Sequence, residues 1–227
     1  MKQSFPHNVI GRILLALITA AVPFFLVMTS IRILFTPLYM QVEYRMPWFP
    51  PDPYGFTTED RLHWSRVSLE YLLGDHEIDF LANQQLRDGN PLYNERELSH
   101  MVDVKVLLQQ MIIAWWILLA ALVLLGIWAW RGKWLKAFLR ALGNGGVVTV
   151  GLIVLILLAV AVSFNALFTA FHRIFFVGDT WLFNWSDSLI RLFPLQFWQD
   201  GFILMGIFTL AGAALLIFLR HKFSAKA

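Results

Sequence analysis

The chain has 227 residues, enough for one domain or one compact unit with an insertion. It is 58% hydrophobic and 15% charged, with a formal charge of +3 and no cysteine. Soluble domains carry about 25% charged residues, so this composition excludes an ordinary soluble globule. The absence of cysteine excludes a disulfide framework, a thiol nucleophile and a zinc site built on thiolate.

Four stretches reach the roughly 20 apolar residues that a helix needs to cross hydrocarbon: Val9 to Phe35, Val106 to Trp130, Val147 to Phe171 and Phe202 to Leu219. The first has a basic start in Lys2 and Arg12. Its apolar run exceeds the roughly 7–15 residues of a signal-peptide core, so it reads as a retained anchor. The expected fold is an all-α membrane protein of four transmembrane helices forming a single membrane domain, residues 1–227. An extracytoplasmic helical insertion separates spans one and two, and a short amphipathic segment separates spans three and four.

Charge orients these spans. Lys2, Arg12, Arg131, Lys133, Lys136, Arg140, Arg220, Lys222 and Lys226 lie at the two termini and between spans two and three, with no acid among them. Residues 37–105 and 172–201, with Arg32 at their edge, carry all 15 carboxylates and the other nine cations, a net of −6. Lysine and arginine in short connections mark the cytoplasmic side, so both termini are expected inside and both long connections outside. The basic connection is explained by topology and anionic lipid rather than by nucleic acid, and no nucleic-acid partner is expected.

The 37–105 connection opens with Pro47-Trp48-Phe49-Pro50-Pro51-Asp52-Pro53-Tyr54-Gly55, a run that must turn or extend. Its aromatic rings suit the headgroup zone. Thr57 or Thr58 followed by Glu59 and Asp60 predicts a helix start. Leu62, Leu69, Leu72 and Leu73 supply its apolar stripe, and Gly74 its end. After Asn90-Pro91 no Gly or Pro occurs until Gly126, so one helix is predicted to begin near Asn94 and continue through span two.

On that helix Glu97, His100 and Asp103 are three apart and share a face, a pattern that solubility alone also explains. Span three ends in Phe171-His172-Arg173. At 1.5 Å rise per residue, His100 and His172 on antiparallel neighbours differ in height by only ~6 Å. Ionisable groups at a membrane boundary are costly, which makes function a reasonable default. Beyond Asp179, Thr180-Trp181-Leu182-Phe183-Asn184-Trp185 reads as an interfacial aromatic belt. A short helix capped by Ser186 or Asp187 is predicted to follow it. Gly143-Asn144-Gly145-Gly146 lacks the lysine and hydroxyl of a phosphate-binding loop and reads as a hinge between helices.

Leu92-Tyr93-Asn94-Glu95-Arg96-Glu97-Leu98-Ser99-His100-Met101-Val102-Asp103-Val104-Lys105 resembles the hallmark segment of the bacterial lipoprotein intramolecular transacylase family. Leu167-Phe168-Thr169-Ala170-Phe171-His172 resembles that family's second motif, as does the 175–197 stretch with Trp181 and Leu192-Phe193-Pro194. The resemblance implies an acyltransferase of the bacterial cytoplasmic membrane, acting at the outer leaflet on a diacylated lipoprotein with membrane lipid as its surroundings. It would move the sn-2 acyl chain of the diacylglyceryl-cysteine to the α-amino group of the same cysteine, giving lyso-form lipoprotein. It implies His100 and His172 as the catalytic pair, with no metal or other cofactor; beside them, general chemistry offers Glu97, Asp103 or Asp179 to orient an imidazole and Asn184 or Arg173 to stabilise an oxyanion. Two other readings fit the residues. One is a membrane metalloenzyme using His100, Asp103, His172 and Asp179; the other is a non-enzymatic assembly factor.

Overall fold

A computed structural model describes residues 8–224, which places Lys2 and Lys226 of the cation set outside the described residues. The elements are all helical: α1 (Val9–Leu34), α2 (Pro37–Glu43), α3 (Thr58–Leu73), α4 (Asp79–Ala82), α5 (Glu95–Arg131), α6 (Leu135–Phe175), α7 (Ser188–Leu192) and α8 (Leu195–Ser224). One isolated antiparallel bridge pairs Gln85 with Pro91. Helices α1, α5, α6 and α8 are each long and apolar enough to span a membrane. On α5, Ile113, Trp116, Ile117, Val123 and Leu124 are exposed, a surface that only lipid or another protein would tolerate. The chain is a multi-pass membrane protein.

Local chemistry accounts for the helix boundaries. Thr57 Oγ1 accepts the Asp60 N–H while the Asp60 carboxylate accepts the Thr57 N–H, a reciprocal capping box that starts α3 where the Thr-Glu-Asp signal predicts. Asn94 and Glu97 form the same reciprocal pair at the start of α5: Asn94 Oδ1 accepts the Glu97 N–H at 3.1 Å and Glu97 Oε2 accepts the Asn94 N–H at 2.8 Å. Asp187 precedes α7 without capping it by its side chain; its carboxylate instead accepts the Asn184 N–H.

Two units emerge from the contacts. One takes in the chain up to Ile31, Ile112–Ala159 and the chain from Ile203; the other takes in Arg32–Met111 and Val160–Phe202. The first packs Ile18, Ala129, Trp134, Phe138 and Ala141 in one cluster and Val22, Leu26 and Ala213 in another. Ser30 and Thr209 hydroxyls bond at 2.8 Å, and Thr19 Oγ1 donates to the Ala141 carbonyl at 3.1 Å. Such short polar links join helices where no hydrophobic drive separates lipid from protein.

The expected hinge at Gly143–Gly146 is not one. These residues lie inside α6, which begins at Leu135, so the connection from α5 shrinks to Gly132, Lys133 and Trp134. The glycines serve close approach instead. A Cβ on Gly145 would stand 2.5 Å from Val22 Cβ and 2.8 Å from the Thr19 carbonyl, and one on Gly146 would stand 2.9 Å from the Ala213 carbonyl. Small residues let helix backbones meet, and that packing outweighs glycine's weak helix propensity of about 1 kcal/mol. Non-helical backbone occurs in α6 at Ser163 rather than at the glycines.

The second unit is built around Met40, Tyr44, Leu69 and Phe197. Tyr44 donates its hydroxyl to the Leu192 carbonyl at 2.9 Å, and Ser68 shares a hydrogen bond with the buried Tyr93 hydroxyl at 2.6 Å. Arg191 of α7 pairs with Asp52 at 3.0 Å; these are two largely buried charges that satisfy each other. α7 is thereby fixed against the Pro-rich turn, and on its other side the Leu189 N–H donates to Glu97 of α5. It lies next to the helix that carries His100.

Candidate functional site

His100 and His172 both belong to the second unit. Their rings stack with centroids 5.9 Å apart and planes inclined by 25°, and each residue is only 8% exposed. Aromatic rings enclose them. His100 meets Phe176 at 4.9 Å and Phe183 at 5.4 Å edge-on; His172 meets Phe168 at 4.1 Å, Trp181 at 5.1 Å and Phe176 at 5.4 Å. Phe168, His172 and Phe176 are four apart, so one stripe of α6, continued just past its end, supplies two of the enclosing rings.

Hydrogen bonds distinguish the two imidazoles. His172 Nδ1 lies 2.8 Å from the Phe168 carbonyl, an atom that only accepts. Nδ1 must therefore carry a proton, which in a neutral ring leaves the lone pair on Nε2. His100 Nδ1 is buried and makes no hydrogen bond among the described residues.

The other sequence-derived candidates divide. Glu97, 1% exposed, directs Oε1 to the Leu189 N–H at 2.7 Å and Oε2 to the Asn94 N–H. It braces α7 against the start of α5, one turn before His100. Asp103 accepts from Thr180 Oγ1 at 3.4 Å and so touches the segment that carries Trp181. Arg173, Asp179 and Asn184 are exposed, and no hydrogen bond joins them to either histidine among the described residues. Nor do any three His, Asp or Glu side chains converge as a metal site would require, among the same residues.

The 176–183 segment folds over the imidazoles. Gly178 adopts φ +76°, a left-handed turn that suits glycine. Trp181 Nε1 donates back to the Gly178 carbonyl at 3.1 Å, and Arg96 of α5 donates to the Leu182 carbonyl at 3.1 Å. The aromatic run is therefore not a belt throughout. Trp185 is 76% exposed as a belt residue would be, whereas Trp181 and Phe183 contact the histidines. Composition alone reads as a belt; the i, i+4 repeat of Phe168, His172 and Phe176 was the one local signal for the enclosure.

Comparison with known proteins follows from this geometry. The family described as lipoprotein intramolecular transacylase Lit matches residues 16–198. An uncharacterized protein of Aquifex aeolicus (strain VF5) is 28% identical over 189 residues, covering 83% of this chain and 84% of its own. The in meso structure of the membrane-integral transacylase Lit from Bacillus cereus is similar with a TM-score of 0.63 at 23% identity, over 93% of this chain and 89% of that one. The same protein bearing a histidine-to-alanine substitution gives a TM-score of 0.64 at 20% identity, over 94% and 93%. At these identities the structural likeness establishes the four-span helical fold.

Proposed function

This chain belongs to the lipoprotein intramolecular transacylase family and is an acyltransferase of lipoproteins, and from that premise we propose the reaction and the residues that carry it. The sn-2 acyl chain of a diacylglyceryl-cysteine passes to the α-amino group of the same cysteine. The amine nitrogen attacks the ester carbonyl, a C–N bond forms, and the bond from that carbonyl to the sn-2 oxygen breaks. One histidine takes the proton that the nitrogen loses, and the other gives a proton to the departing oxygen, which leaves as a hydroxyl.

The observation that carries this reading is the stacked pair, 5.9 Å apart and closed in by aromatic rings. Burial, and for His100 the neighbouring His172, holds both imidazoles below their ordinary value of about 6.5, so each rests neutral with a lone pair free to take a proton from the substrate's α-ammonium. His172, with Nδ1–H anchored to Phe168, offers Nε2 as the base. His100 is then the acid: it takes the first proton of the substrate's α-ammonium, which frees the amine to attack, and gives that proton to the departing sn-2 oxygen, while His172 takes the second and releases it to solvent. Amine and ester belong to one molecule, so the protein's main task is to hold them in near-attack geometry. The dry enclosure has a second consequence, since an activated ester meeting water would hydrolyse.

Glu97 is a positioning residue in this scheme, fixing the first turn of α5 and with it His100. Asp103 holds the covering segment through Thr180. No contact gives Arg173, Asp179 or Asn184 a step. The charge pattern of the sequence orients the site to the outer leaflet, with both termini in the cytoplasm.

Expression in a bacterial host whose lipoproteins are diacylated tests the proposal. Mass spectra of lipoprotein N-termini should acquire an N-acylated cysteine bearing a lyso-glyceryl group. Unchanged spectra, with the chain confirmed in the membrane, would sink it.

A further inference from the structure

Away from the histidines, a half-open cleft of about 340 Å³ is lined by Phe49, Pro50, Asp52, Phe56, Thr58 and Arg61 among others, all from the second unit. Arg61 is 5% exposed, which is costly for a cation. Its Nε donates to the Arg191 carbonyl at 2.9 Å and its Nη1 to the Pro50 carbonyl at 2.7 Å. Both are neutral acceptors; what else faces the charge is the Phe49 ring, 5.1 Å from the guanidinium carbon, and the field of Asp52, which Arg61 shares with Arg191. Nη2 makes no hydrogen bond to protein among the described residues.

The nearest carboxylate is already committed. Asp52 Oδ2 accepts from Arg191 Nε at 3.1 Å, from Arg191 Nη2 at 3.0 Å and from the Phe56 N–H. No carboxylate forms an ion pair with Arg61 among the described residues. Two guanidiniums and one carboxylate thus leave one buried positive charge beside a cleft. Thr58 lines the same cleft as the first residue of α3, and its N–H has no acceptor within the helix. The helix dipole there favours an anion. Asp60 adds little opposing field, because its carboxylate turns back onto Thr57 and pairs with Arg87 at 2.9 Å.

Depth in the membrane selects among anions. Trp48 and Tyr54, on the segment that supplies Pro50 and Asp52, are 61% and 51% exposed. Such rings collect where acyl chains meet headgroups, a zone rich in phosphodiesters. We propose that this cleft binds the phosphodiester of a phospholipid headgroup, held by the Arg61 guanidinium and the Thr58 N–H. The diacylglyceryl group of the substrate carries no phosphate, so the bound lipid is a neighbour that seats the insertion in the headgroup plane. The site does not depend on the acyl transfer.

Native mass spectrometry of the full chain, purified in detergent and washed free of lipid, tests this with three probes: dioleoylphosphatidylglycerol, dioleoylglycerol and inorganic phosphate. The wild type should retain one phosphatidylglycerol per chain and no dioleoylglycerol. Arg61→Gln and Thr58→Asp should each lower retention roughly tenfold, by removing or repelling a charge-assisted contact. Thr58 makes no side-chain hydrogen bond that the substitution would break, and an aspartate in the first turn suits the helix dipole. An unchanged lipid-free melting temperature for Thr58→Asp then separates lost binding from lost folding. Equal retention of phosphatidylglycerol by both variants, or of dioleoylglycerol by the wild type, overturns the site. Inorganic phosphate binding that phosphatidylglycerol fails to displace overturns the headgroup assignment.

Discussion

Glu97 and Leu189 are 92 residues apart, yet the buried carboxylate of one accepts the main-chain N–H of the other at 2.7 Å. The second oxygen of Glu97 caps α5 through Asn94, so one side chain fixes a helix start and docks α7. Glu97→Ala strands the buried Leu189 N–H, worth about 1–3 kcal/mol, and uncaps α5 at the exposed Asn94. A fall in the thermal midpoint, measured in detergent, is expected together with reduced acyl transfer. Glu97→Gln keeps one acceptor and should lose less of both. A Glu97→Ala protein as stable as wild type would remove this carboxylate from the account.

His172→Ala and His100→Ala should each lower lyso-form production by roughly 10²–10⁴-fold, the usual worth of general acid–base catalysis, at unchanged protein level. The lipoprotein mass spectrum reads the loss directly. Either variant retaining full activity would show that its histidine is not part of the catalytic pair.

Trp181 covers His172 at a ring separation of 5.1 Å. Trp181→Ala opens that side to water, and water then competes with the amine for the ester carbonyl. The expected product is a lyso-glyceryl cysteine with a free amine, accompanied by free fatty acid. Its ratio to the N-acylated form is read from the same spectra. An unchanged ratio would mean that the ring does not control water access.

Gly145 approaches Val22 so closely that a Cβ would fall 2.5 Å from Val22 Cβ. Gly145→Ala should destabilise by about 1–3 kcal/mol through overpacking. Gly151, on the same helix, has open space at its Cβ position. Gly151→Ala should stabilise by up to about 1 kcal/mol through helix propensity alone. Opposite shifts of the thermal midpoint are the expected pair of results.

Burial, with Asp200 beside it, pushes the Glu43 carboxyl up to about 8. A carboxyl whose folded value is raised stabilises fully below its unfolded value of about 4.5 and loses that contribution as pH rises through the folded value. Thermal stability should therefore decline between about pH 5 and pH 8. Glu43→Gln, uncharged throughout, should flatten that decline. A decline of equal steepness in Glu43→Gln would assign it to other groups.

What the sequence by itself determined were properties set by short range and by solvent. Hydrophobic length alone marks α1, α5, α6 and α8 as spans, because hydrocarbon accepts no unpaired backbone. Cap chemistry placed the start of α3 at Thr57–Thr58, because the satisfying groups lie within three residues, and the run without Gly or Pro after Pro91 placed that of α5 near Asn94. The two histidines could be paired by counting rise per residue along antiparallel helices. Only the tertiary structure decided the rest. Gly143–Gly146 reads locally as a breaker but serves as a contact, since the Val22 and Ala213 that it meets come from distant helices. Trp181 and Phe183 read as belt residues until a turn at Gly178 lays them on the imidazoles. Glu97 reads as a neighbour of His100, but its partner Leu189 lies 92 residues away. Each of these depends on which surfaces meet, and no local pattern of residues encodes that.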